Sequence, residues 1–112
     1  SEAKYVSYTM APFMTSYALT HDTIKPKDYF GSQSIKELVV YDPKDYDSWY
    51  PRANDEIYRH LRETKSDMMI IRGYGLYCYS RDLTSLIKKI AILENSCKLL
   101  HRLDENKSGR NF

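Results

Sequence analysis

No apolar run in this 112-residue chain approaches the ~20 residues that a membrane-spanning helix needs. The pattern of a secretory signal is missing as well, so a cytoplasmic chain that does not enter a membrane is the expectation. Cysteine is scarce. Cys78 and Cys97 are the only two, and without paired spacing they predict free buried thiols in a reducing compartment rather than a disulfide. Charge of one sign is not in excess either: Lys and Arg number 17 against 15 Asp and Glu, a net charge of +2. With no basic run, that balance argues against a nucleic-acid surface.

The spacings that announce familiar chemistry are also lacking. His21, His60 and His101 lie far apart, and no pair has the short spacing of a zinc site. They read as solvent-facing or helix-end histidines, His101 beyond the last helix. Arg72-Gly73-Tyr74-Gly75 could suggest a phosphate-binding turn, but it lacks the GxGxxG or GK[ST] pattern and leads into a strand. A hairpin turn is the preferred reading. Asp42, Asp45 and Asp47 do not have calcium-loop spacing and are interrupted by Pro43, which leaves a solvated loop. No serine stands in a GxSxG context. Composition and spacing alone reach only an α/β-type domain without a visible active site.

What the chain does contain is tyrosine, 11 residues of it, in a sequence that is 42% hydrophobic. An apolar ring with a polar tip suits half-wet layers and interfaces, so surfaces covered by another chain or further sequence are expected. The organising stretch runs from Asp67 to Leu100. Met68 to Ile71 form a short unbroken apolar run, as in a strand covered on both faces. Gly73 and Gly75 bracket Tyr74 and permit a sharp turn. Leu76 to Tyr79 suit a second strand. From Leu83 the period becomes helical, through Leu86, Ile87, Ile90, Leu93, Cys97 and Leu100.

Upstream, Lys4 to Thr9 is strand-like, and a helix follows from Ala11-Pro12 with Phe13, Met14, Tyr17 and Ala18 inward. Residues 20–31 read as loop, and Lys36 to Tyr41 as a strand closed by Asp42-Pro43. After a loop to Pro51, Asn54 is the predicted N-cap of a helix running to about Lys65, with Ile57, Tyr58 and Leu61 inward. Residues 104–112 read as a fraying tail. Strands and helices in this order predict an α/β fold, layered α/β/α, with a central sheet at least partly antiparallel because of the tight turn at Gly73–Gly75.

The unit from Met68 to Leu100 resembles the end of the class II aldolase and adducin family domain. There an apolar strand leads to an N-H-G turn, a short strand and a long helix with a glutamate near its middle. The matching residues here are Met68 to Arg72, Gly73-Tyr74-Gly75, Leu76 to Tyr79 and the helix bearing Glu94. Tyr8-Thr9-Met10-Ala11-Pro12 is similar to the family's H-x-H motif, with Leu38 to Tyr41 and Asn54 to Lys65 as the next strand and helix. The resemblance implies a class II aldolase-like fold over residues 4–103, as the C-terminal portion of a longer domain and so a fragment of a longer protein. It also implies a zinc site at Tyr8, Met10 and Tyr74. A phenol, with an ordinary pKa near ~10, and a thioether are poor neutral-pH zinc ligands. The expectation is therefore a degenerate, metal-free site without a cofactor, in a domain that acts through assembly or binding. The alternative is a sugar-phosphate aldolase, or a related dehydratase or decarboxylase, completed by an N-terminal segment and using Tyr74 as a candidate acid/base. A homo-oligomer is the expected partner arrangement.

Overall fold

The computed structural model describes residues 4–107. Its elements are β1 (Tyr5–Thr9), α1 (Pro12–Thr20), β2 (Thr23–Ile24), α2 (Tyr29–Ser34), β3 (Leu38–Tyr41), α3 (Trp49–Thr64), β4 (Met68–Ile71), β5 (Gly75–Ser80) and α4 (Leu83–Lys107). The strands form one sheet in the order β1-β5-β4-β3-β2. Three of its four pairings are antiparallel and β3–β4 is parallel, so the sheet is mixed as the glycine turn predicts. Helices cover both faces. α1 and α4 enclose one core with β4 and β5, built on Met14, Ile70, Leu76, Leu93 and Cys97, among others. α3 covers a second, smaller core of Trp49, Ala53, Ile57, Met69 and Ile71.

The apolar run Met68 to Ile71 is buried along its whole length, because β4 lies inside the sheet and alternates its side chains between the two cores. Along α4, Leu86, Leu93, Cys97 and Leu100 are buried, whereas Leu83 and Ile87 of the same apolar series are 48% and 59% exposed. Cys78 and Cys97 are free and buried in the same core, which pushes their thiols up to about 11 and about 12.

Four expectations are corrected. Residues 20–31 are not all loop: Thr23–Ile24 pair with Leu38 and Val39, and Tyr29–Ser34 form a short helix. Asp28 caps that helix by accepting from the Gly31 N–H at 2.9 Å, and it also accepts from the Ser96 hydroxyl at 2.7 Å. α3 begins at Trp49 rather than after Asn54. Pro51 sits in its first turn, where a missing N–H leaves no intrahelical bond unmade, so it does not break the helix. Tyr58, expected to face inward, is 64% exposed. Finally, α4 continues through Lys107, so Asp104 to Lys107 are helical rather than tail and His101 lies within the helix. Residues 108–112 of the expected tail lie outside the described residues.

Candidate functional site

The site forms where the end of β1 meets the turn between β4 and β5. Ile71 pairs with Gly75 across that turn, and the Tyr74 N–H returns to the Ile71 carbonyl at 2.9 Å. Gly73 (φ 74°) and Gly75 (φ 142°) both occupy the left-handed half of backbone space. Neither could carry a side chain in place. A Cβ on Gly73 would stand 1.9 Å from the Tyr46 hydroxyl oxygen, and one on Gly75 would stand 2.8 Å from the Tyr8 ring. The Gly-Tyr-Gly sequence thus lets two tyrosines lie directly on the turn.

β1 runs antiparallel to β5 with Tyr8 opposite Tyr77. This register brings Tyr8 to Tyr74, with ring centroids 4.9 Å apart and the Tyr8 hydroxyl donating to the Tyr74 carbonyl. Tyr77 lies 5.6 Å from Tyr8, and Trp49 meets Tyr74 edge-on at 5.7 Å. Tyr41 joins through Trp49 at 6.1 Å. The result is a continuous aromatic layer on the α3 face of the sheet. Burial, then the neighbouring phenols Tyr74 and Tyr77, raise the Tyr8 pKa. Burial, then Tyr77 and Tyr50, do the same at Tyr74. Neither phenol is therefore disposed to ionise at neutral pH.

Of the three residues singled out in the sequence, the structure brings Tyr8 and Tyr74 together. Met10 stands two residues further along, past the end of β1, and is 60% exposed. The chemistry of this donor set does not fit zinc. Both phenols hold their protons more tightly than free tyrosine, the Tyr8 hydroxyl is engaged with a backbone carbonyl, and the thioether is a soft ligand. Among the described residues, no three His, Cys, Asp or Glu side chains gather as a possible metal centre.

Three supports hold the site, and of them only Glu94 stands out in the sequence, through the family resemblance. Glu94 of α4 accepts from the N–H groups of Phe13 and Met14, at 2.8 Å each, and so caps α1 immediately after Met10 and Ala11. α1 has no cap of its own, since Ala11 offers no side-chain acceptor. Arg72, at the end of β4, donates to the carbonyls of Ala18 and His21 and to the carboxylates of Asp22 and Asp42. That clasp fixes the turn against both neighbouring loops. On the α3 side, Glu56 accepts from Tyr41 and Arg52, at 2.5 Å each, which holds its carboxyl below the usual range and pushes the Tyr41 phenol up to about 12. Burial is the larger cause of the Tyr41 shift.

His21, His101 and the aspartates of the acidic loop take no part in the aromatic layer. His21 stacks on Tyr17 with centroids 3.6 Å apart and reaches Asp104 at 3.2 Å, and His101 packs edge-on against the same tyrosine. The two are isolated in sequence and share one ring in space. His60 lies in α3 against Tyr41. Asp42 and Asp45 cap turns of their own loop, as its solvated reading predicts.

A family model, the class II aldolase and adducin N-terminal domain, matches residues 1–101. The chain belongs to this family. The class II aldolase and adducin chain described here also superimposes on the crystal structure of l-fuculose-1-phosphate aldolase from Thermus thermophilus. The TM-score is 0.83 at 19% identity, covering 100% of this chain and 59% of that one. At that identity the likeness concerns the fold, and the chain spans about three fifths of the length of the aldolase it matches. No curated protein matches the sequence. The five-stranded α/β architecture is therefore a class II aldolase fold, as the strand–turn–helix unit with Glu94 suggests.

Proposed function

We propose that this domain works through binding or assembly and does not use a zinc-dependent aldolase mechanism. The observation that carries the reading is the Tyr8–Tyr74 contact: where the family resemblance calls for two imidazoles, two phenols meet and one is hydrogen bonded to the backbone of the other. Such a pair closes the position rather than opening it to a cation. The aromatic layer extending to Trp49 and Tyr77 suits recognition of an apolar or ring-bearing surface. The test is elemental analysis of the purified chain together with equilibrium dialysis against zinc. The expected result is no zinc bound at this position. One zinc per chain, lost on Tyr74→Phe, would overturn the reading.

The structural match to a sugar-phosphate aldolase favours a second reading, in which further polypeptide completes a carbon–carbon lyase with a different catalytic set. Retro-aldol cleavage of phosphorylated ketoses, abolished by Tyr74→Phe, would support it. Inactivity of the full-length protein across such a panel would remove it.

A further inference from the structure

A phenol that loses an electron becomes a strong acid, so it is oxidised readily only where its proton has somewhere to go. The Tyr8 hydroxyl donates to the Tyr74 carbonyl and the Tyr79 hydroxyl to the Ser66 carbonyl, both too weakly basic to take a proton. Tyr41 differs. Its hydroxyl donates to the Glu56 carboxylate at 2.5 Å. Its half-buried ring lies between Trp49, at 6.1 Å, and His60, at 5.1 Å. Trp49 is 3% exposed and meets Tyr74 at 5.7 Å, and Tyr74 meets Tyr8 at 4.9 Å. Tyr8, Tyr74, Trp49 and Tyr41 therefore form one row of oxidisable rings, and the row ends on the phenol that is bonded to a carboxylate.

We propose that Tyr41 and Glu56 form a proton-coupled redox site, which takes up an oxidising equivalent delivered through Tyr74 and Trp49 by a one-electron oxidant outside the chain. One electron leaves Tyr41 along the row and reduces that oxidant. The Tyr41 O–H bond breaks, the proton crosses to Glu56 Oε1 to form the carboxylic acid, and a neutral tyrosyl radical remains. No other atom is gained or lost. Charge sets where the oxidation comes to rest. The Arg52 guanidinium stands 5.3 Å from the Trp49 ring centroid, so positive charge on the indole is opposed and passes on to Tyr41. Arg52 also fixes the proton acceptor, since it donates to Glu56 at 2.5 Å and to the carbonyls of Pro43, Asp45 and Ser48. When Glu56 is neutral, those three carbonyls still partner the guanidinium and no cation is left unpaired. When the electron returns, the same guanidinium favours the Glu56 carboxylate, and the proton goes back to the phenol. The site is therefore reversible.

The readout is a radical rather than metal or turnover, so the redox site and the binding reading can fail separately. The experiment is flash photolysis of the 112-residue chain with tris(bipyridyl)ruthenium(II) and a cobalt(III) quencher, followed by transient absorption and electron paramagnetic resonance. The wild type should show a long-lived neutral tyrosyl radical beside the short-lived signals of exposed tyrosines. Tyr41→Phe should lose the long-lived component. Glu56→Gln should lose it too, because an amide oxygen accepts a hydrogen bond and cannot take the proton. Trp49→Phe should keep the radical and slow its appearance. Circular dichroism checks that each variant folds. If Glu56→Gln does not, Glu56→Asp, which draws the carboxylate away from the phenol, should shorten the lifetime. A wild type without a long-lived radical, or a radical that survives unchanged in Tyr41→Phe or in either folded Glu56 variant, would overturn the proposal. Formation at an unchanged rate in Trp49→Phe would overturn the route through the indole.

Discussion

On the proposed correspondence with the family's metal site, placing imidazoles at Tyr8, Met10 and Tyr74 should create a zinc site. In the triple variant Tyr8→His, Met10→His and Tyr74→His, two ligands come from positions whose rings already meet. Two imidazoles bound to one zinc at ~2.0–2.1 Å in tetrahedral geometry place their ring centres roughly 5 Å apart. The Tyr8 and Tyr74 centroids are 4.9 Å apart. Without metal the variant should be less stable than the wild type, because aromatic contacts with Tyr77 and Trp49 and the Tyr8 hydrogen bond are weakened. At ~0.5–1.5 kcal/mol per aromatic pair and about 1 kcal/mol for the hydrogen bond, a net loss of roughly 1–3 kcal/mol is expected. Free zinc at one hundred times its Kd should return about 2.7 kcal/mol, or roughly 10 °C in Tm for a domain of this size. Thermal unfolding with and without zinc, and metal analysis after gel filtration, read the two effects separately. The wild type should not respond to zinc. A folded triple variant that shows neither a zinc-dependent rise in Tm nor bound metal would refute the correspondence of Tyr8, Met10 and Tyr74 with a metal site. If the triple variant does not fold, Tyr8→His with Tyr74→His provides the same test at two ligands, with weaker binding expected.

Two further predictions concern what supports the site. Glu94→Ala should cost on the order of 2–4 kcal/mol, because two helix N–H groups at Phe13 and Met14 lose their common acceptor, and chemical denaturation should show it as a fall in midpoint at unchanged slope. At high pH, Tyr41, Cys78 and Cys97 all have pKa values raised in the folded state, to about 12, 11 and 12. A raised value favours folding below the unfolded pKa and loses that contribution as pH climbs through the folded one, so stability should decline between about pH 9 and 12. Tyr41→Phe should flatten the part of that decline above pH 10, and an unchanged alkaline profile would show that the Tyr41–Glu56 contact does not govern it.

How far the sequence discloses this structure depends on whether a feature is local. The unit β4–turn–β5–α4 is legible because an unbroken apolar run, two glycines and a change of period sit side by side. β2 is not, since two residues become a strand only through their pairing with β3. α2 has six residues and no periodicity to read, although Asp28 three places before Gly31 is an N-cap signal that could have revealed it. The start of α3 is obscured by Pro51, which reads as punctuation until its place in a first turn is known. Tyr8 and Tyr74 are 66 positions apart and come together through a register that only the folded sheet defines. Their pairing could be expected from the family resemblance and not from spacing. The tyrosines divide between exposed surface and the aromatic layer. Six of the 11 are more than two fifths exposed, and Tyr41, Tyr74 and Tyr77 line the aromatic layer.

The contacts that place residue 74 beside residue 8 do not depend on what those residues are. The turn is set by the glycines and by the return of the Tyr74 N–H to the Ile71 carbonyl, both backbone features. Its position against α1 is set by Arg72, and the start of α1 by Glu94. The register of β1 on β5 comes from ladder bonds and from the burial of Leu76 and Cys78 beneath it. A scaffold held in this way tolerates a change of side chain at the site, because Tyr8 and Tyr74 carry no buried charge and neither is fully buried. The reverse does not hold. Losing Gly75 would drive a Cβ into the Tyr8 ring and the Thr9 carbonyl, and losing Glu94 would leave a helix terminus without acceptors. The architecture and the side chains at the site therefore answer to separate sets of residues: the glycines, Arg72 and Glu94 hold the first, and Tyr8 and Tyr74 are the side chains it brings together.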